Sequence, residues 1–79
     1  MIQQQNHAEF TTFNTGISAF IPFNSVCHIQ QGKEEDAISV GLGEGSRTTW
    51  IHFNNGKCMH VIDTYDDVKK DIETFWDNY

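Results

Sequence analysis

Three side chains with metal-binding and nucleophilic chemistry lie close together in the chain: His52, Cys58 and His60. They flank Asn54-Asn55-Gly56, a hairpin turn signal between two β-prone runs. Their chemistry depends on the register of that hairpin. A two-residue type I′ turn at Asn55-Gly56 pairs Phe53 with Cys58 and Ile51 with His60, which buries a histidine among apolar neighbours. A three-residue loop with Gly56 in the left-handed region pairs Ile51 with Met59 and Thr49 with Val61. The second register is favoured. It gathers Ile51, Phe53, Met59 and Val61 on one apolar face, and one residue of slip would exchange every side chain between faces.

In the favoured register His52, Cys58 and His60 share the other face, with His52 opposite Cys58 and about 5 Å from it at Cβ. Imidazole and thiolate at that spacing could bind zinc, with Cys27 or His28 as a fourth ligand. No Cys-x-x-Cys or His-x-x-x-His spacing supports this. The plainer reading makes Cys58 a small buried hydrophobe and the histidines outward polar residues beside Trp50. Cysteine nucleophilic catalysis is weaker still, because a thiol on a strand lacks the helix N-terminus that lowers its pKa. No metal, cofactor or catalytic residue is therefore assigned. A second constellation is Gly41-x-Gly43-x-Gly45 followed by Ser46 and Arg47, the only arginine. Backbone amides of Gly43 and Gly45 with Ser46, Arg47 and a stacking Trp50 could cradle a nucleotide-like anion. The segment lacks a P-loop lysine and a following helix, so a hairpin loop is the simpler expectation.

The elements that must position these residues follow from pattern. Strands are expected near 8–13, 17–21, 26–30, 37–42, 48–53 and 57–62, the first two joined by the turn residues Asn14-Thr15-Gly16. Pro22 interrupts the ladder. Residues 32–36 read as polar and exposed, and Ile38, Val40 and Leu42 alternate as a half-buried strand weakened by glycines. Thr64 caps a helix over 64–78, with Asp66 and Asp67 at its positive end. Tyr65, Val68, Ile72, Phe75 or Trp76, and Tyr79 form one apolar stripe. Trp76 and Tyr79 extend it beyond what a small sheet covers, which points to a neighbouring subunit.

Composition bounds the whole. At 79 residues and 38% hydrophobic, the chain holds one domain with one sheet and one helix. It buries only roughly 60% of the surface its unfolded form exposes. Five basic against eleven acidic residues give a net charge of −6, which argues against nucleic-acid or anionic-membrane binding and favours a basic partner. No run suits a membrane span. Residues 1–7, which should fray, carry neither a basic nor an apolar leader region. Two cysteines do not make a secreted disulfide framework. Cytoplasmic residence with reduced thiols is expected.

Trp50-Ile51-His52-Phe53-Asn54-Asn55-Gly56-Lys57-Cys58-Met59-His60-Val61-Ile62-Asp63-Thr64, followed by Val68 and Ile72, resembles the strand, Asn-Gly-Lys turn, strand and capped helix of the small FlbD-like proteins of bacteria and their phages. Phe20-Ile21-Pro22-Phe23-Asn24-Ser25-Val26-Cys27-His28-Ile29 is similar to the segment preceding it there. The resemblance spans residues 19–76, and the acidic, glycine-rich stretch at 32–47 and the N-terminal segment depart from it. It implies a fold and a small accessory role, and it supplies no catalytic residue.

The sequence thus predicts an α+β domain: a small, twisted, mainly antiparallel sheet of four to six strands with the C-terminal amphipathic helix packed on it. The expected function is non-enzymatic. The protein would be a homo-oligomeric accessory factor or phage-type inhibitor that presents Glu34, Glu35, Asp36, Asp66, Asp77, Trp76 and Tyr79 to a larger basic protein. The alternative is a sponge for a nucleotide-like anion, held at a subunit interface by Gly43, Gly45, Ser46, Arg47 and Trp50.

Overall fold

A computed structural model describes residues 7–77. Its architecture is α+β: β1 (His7–Thr11), β2 (Ser18–Pro22), a 3-10 turn (Phe23–Ser25), β3 (Val26–Gln31), α1 (Glu34–Ser39), β4 (Thr49–Phe53), β5 (Cys58–Val61) and α2 (Tyr65–Asp77). The strands form two antiparallel sheets, β1-β2 and β3-β4-β5. A bridge between Thr12 and Val61 lays the end of β1 along β5. The N–H groups of Phe13 and Ile62 donate across that seam to His60 and Thr11, at 2.8 Å each. The two sheets therefore meet where the end of β1 runs beside β5.

The β4–β5 hairpin has the three-residue loop. Thr49 pairs with Val61, Ile51 with Met59 and His52 with Cys58. Gly56 N–H donates to Phe53 at 3.0 Å, and its φ of 87° is one that β-branched residues do not tolerate. Ile51 and Val61 are fully buried and Phe53 and Met59 partly so, which makes one apolar face as the alternation requires.

That face meets α2. Val68, Ile72 and Phe75 enter a core with Ala8, Phe10, Ile21, Phe23 and Val26, and the Phe23 and Phe75 rings lie 5.4 Å apart at 52°. Thr64 caps the helix through its Oγ1, which accepts from Asp67 N–H at 3.4 Å. Asp63 ties the helix start to the sheets. Its carboxylate accepts from Thr11 N–H at 2.8 Å and its carbonyl from the Thr49 hydroxyl at 2.9 Å.

Two expectations fail. The first is the strand at 37–42, which is absent because α1 occupies Glu34–Ser39. Glu34, Glu35 and Asp36 form the first turn of α1, where carboxylates suit the positive end of a helix. Gly41 and Leu42 close it by a Schellman motif, donating to Ile38 at 3.0 Å and Ala37 at 2.9 Å. Gly41 sits at φ 85° and Gly43 at 88°, incompatible with an extended strand. The alternation of Ile38, Val40 and Leu42 was therefore a coincidence, and fully buried Ala37 anchors the segment instead. The second failure is at the N-terminal end, where His7 is the first residue of β1, paired with Pro22. Residues 1–6, and with them the rest of the fraying expectation, lie outside the described residues, as do residue 78 and Tyr79. No described helix is long and apolar enough to cross a membrane.

Candidate functional site

The face of β3-β4-β5 turned away from the core carries the rings singled out by type and spacing. The hairpin register puts Trp50 beside His60 and His52 beside Cys58, and β3 adds His28 opposite His52 and Gln30 opposite Trp50. The His28 and His52 rings stack at 4.3 Å and 9°. His52 Nε2 is 2.7 Å from Gln30 Oε1. With their faces together and one nitrogen engaged, these imidazoles do not converge on a common point. Among the described residues no three His, Cys, Asp or Glu side chains are placed to hold a metal ion. Cys58 corrects one expectation: it is exposed rather than a small buried hydrophobe.

His60 lies in the neighbouring row and is buried, although it is on the outer face. Its ring sits between Trp50, at 4.2 Å and 10°, and Phe13, at 4.3 Å and 22°. Its Nε2 hydrogen-bonds the fully buried Thr48 Oγ1 at 2.7 Å. Burial pushes its pKa below the ordinary histidine value, and the nearby Asp36 carboxylate pulls the other way. Burial wins, as expected for a ring closed between two aromatics. Thr48 also packs against Gly32, where any Cβ would fall 2.0 Å from Thr48 Oγ1. Only glycine at 32 lets the threonine reach His60. Sequence reasoning missed this cluster, because Phe13 and Gly32 come from segments remote in the chain.

The residues proposed for an anion site are partly brought together. Gly45, Ser46 and Arg47 line a polar cleft of about 310 Å³ with Gln31 and the first turn of α2. Gly43 and Trp50 are not among its lining residues. The Arg47 guanidinium donates to the Gly32 carbonyl at 3.2 Å, and the Ser46 hydroxyl to Leu42 at 3.1 Å. Asp66 and Asp67 share the cleft, so its charge is mixed.

The acidic residues divide. Glu34 is used internally, its carboxylate accepting from Gly45 N–H at 2.6 Å. Glu35 makes an exposed ion pair with Lys33 at 3.9 Å. Asp36 is half-buried near His60. Asp66, Asp77 and Trp76 are exposed on α2, Trp76 at 47%. A second cleft, of about 590 Å³, lies at the hairpin tip over Phe53 and Met59, with Asn24, Ser25, Lys57 and Cys58 around it. In comparisons with protein families, curated proteins and solved structures, nothing matches this chain.

Proposed function

We propose that the protein is a non-enzymatic binding protein, a cytoplasmic accessory factor or phage-type inhibitor, that docks the outer side of α2 on a basic surface of a larger protein. The observation that carries this reading is Trp76. It stands 47% exposed beside Asp77 and one turn from Glu73, while its neighbour Phe75 is buried in the core. The helix carries five exposed carboxylates, Asp66, Asp67, Asp71, Glu73 and Asp77, against two lysines, Lys69 and Lys70. An aromatic anchor with carboxylates beside it, here Glu73 and Asp77, concentrates binding energy and steers a basic partner. The FlbD-like likeness of residues 19–76 accords with a small accessory role. Within the acidic set first suggested by sequence, α2 rather than Glu34 and Asp36 supplies free carboxylates.

The test is affinity capture from bacterial lysate, followed by reconstitution with the purified partner. Trp76→Ala should weaken binding by at least about 2 kcal/mol. Glu73→Lys with Asp77→Lys should slow association, as should added salt. Binding that ignores all three overturns the reading. A second reading rests on the Arg47 cleft. If Arg47→Ala abolishes retention of a nucleotide from a panel while the α2 variants stay active, the protein is an anion sponge instead.

A further inference from the structure

The cleft at the hairpin tip has walls that the fold holds in place. One wall is the 3-10 turn and the other the β4–β5 loop. Two bonds tie them together: Asn54 N–H donates to the Ser25 carbonyl at 2.9 Å and Asn54 Nδ2 to the Asn24 carbonyl at 3.1 Å. Within the loop, Lys57 N–H donates to Asn55 Oδ1 at 3.0 Å and Phe53 N–H to the Lys57 carbonyl at 2.8 Å. A ligand therefore does not have to order these walls on entering. Phe53 and Met59, both half-buried and packed against the core, supply the apolar floor. At about 590 Å³ the space is that of a small-molecule site.

The charge of this lining is opposite to that of the chain. Eleven acidic residues outnumber five basic ones, yet among the described residues none of the acids lines the cleft, and Lys57 is its one charged group. Lys57 is exposed, and among the described residues it makes no ion pair. The Arg47 cleft differs on both counts: Asp66 and Asp67 line it, and its guanidinium is engaged by the Gly32 carbonyl. An unpaired ammonium beside an apolar floor, with no carboxylate in the lining, selects a ligand that has an apolar body and an anionic end.

We propose that this cleft binds a small amphiphilic monoanion, an aliphatic chain or aromatic ring that carries one carboxylate. The apolar part lies on Phe53 and Met59, and the carboxylate accepts from Lys57 Nζ. The Asn55 carboxamide, whose oxygen already accepts from Lys57 N–H, has its NH2 left to offer as a second donor. Charge selects the head and the floor selects the tail. The site uses no residue of α2, so it is independent of the docking role of Trp76.

Octanoate, octanol and octylammonium share one tail and differ in the head, which makes them the probes. Cys58 reports the site, because it is exposed and lines the cleft, whereas Cys27 is exposed and does not line it. Alkylation of both thiols by iodoacetamide, read by mass spectrometry at each probe concentration, gives an affinity from the protection of Cys58 relative to Cys27. A salt concentration of about 0.15 M keeps distant carboxylates screened beyond about 8 Å. Octanoate should protect Cys58 and leave Cys27 unchanged, octanol should protect it more weakly, and octylammonium least. Lys57→Gln should weaken octanoate at least about threefold and leave octanol unchanged, which separates a lost charge from a damaged cleft. Lys57→Glu should put octylammonium ahead of octanoate. Trp76→Ala should leave the octanoate affinity as it is, so failure here and failure of the docking role are separable. A Cys58 indifferent to octanoate, three probes that bind alike, or a Lys57→Gln chain with the wild-type affinities overturns the inference.

Discussion

At the scale of single residues, His60 shows how a polar side chain becomes a structural one. On an exposed sheet face an imidazole is ordinarily solvated, but Trp50 and Phe13 enclose this one and Thr48 meets its nitrogen. Its pKa is lowered chiefly by burial, against the opposing pull of Asp36. The unfolded chain then takes up a proton more readily than the native state. The stability contributed by neutral His60 is complete above about 6.5, the ordinary histidine value, and is lost as pH falls from there through the depressed folded value. Thermal melts between neutral and mildly acidic pH should show this slope in the wild type and a shallower one in His60→Gln. An identical slope in both would show that His60 does not set it. Thr48→Val keeps the shape and removes the hydroxyl, leaving a buried nitrogen unpaired. It should cost about 1–3 kcal/mol at neutral pH.

At the scale of elements, what was legible is what local chemistry dictates. The β4–β5 register could be read because alternation and a glycine-closed loop gave one answer, and α2 because its cap and its stripe agreed. Gly56→Val should therefore destabilise the fold by at least about 1 kcal/mol, since φ 87° is closed to a β-branched residue. An unchanged melting temperature would sink that account of the turn. The misread segment, 37–42, also follows from chemistry. A six-residue helix leaves too little periodicity to distinguish it from a short strand. Its true marks were the acidic first turn and Gly41 as a left-handed stop. Of the candidate site, the shared face of His52, Cys58 and His60 could be read from the register. The burial of His60 could not, because Phe13 and Gly32 reach it only through the seam to β5 and the loop after β3. Trp76 was legible as the residue that a helix stripe could not hide once Phe75 took the core position.

At the scale of the whole molecule, charge governs. The molecule extends 40 × 26 × 20 Å, and at about 0.01 M salt the screening length of about 30 Å exceeds its shortest dimension. Every carboxylate then repels every other, and net charge far from zero works against the compact state. The Lys33–Glu35 pair is too exposed to offset this. Asp71 on α2 registers the effect locally. Although the residue is exposed, partial desolvation of its carboxyl raises its pKa first, then the charges of Asp67 and Asp63, with Lys70 opposing. A carboxyl whose folded pKa is raised above its unfolded value costs stability while it is ionised. That cost is removed as pH falls through the raised value. Asp71→Asn should accordingly raise the melting temperature at neutral pH, and the gain should shrink in acid, where the wild-type carboxyl is already protonated. Added sodium chloride should raise the wild-type melting temperature too. It should narrow but not abolish the gap to Asp71→Asn, because salt screens Asp67 and Asp63 but does not relieve desolvation. Melts of both proteins at low and high salt check this. A wild-type melting temperature independent of salt would show that self-repulsion does not limit this fold, and a gap that closes completely would assign the Asp71 shift to charge rather than to desolvation.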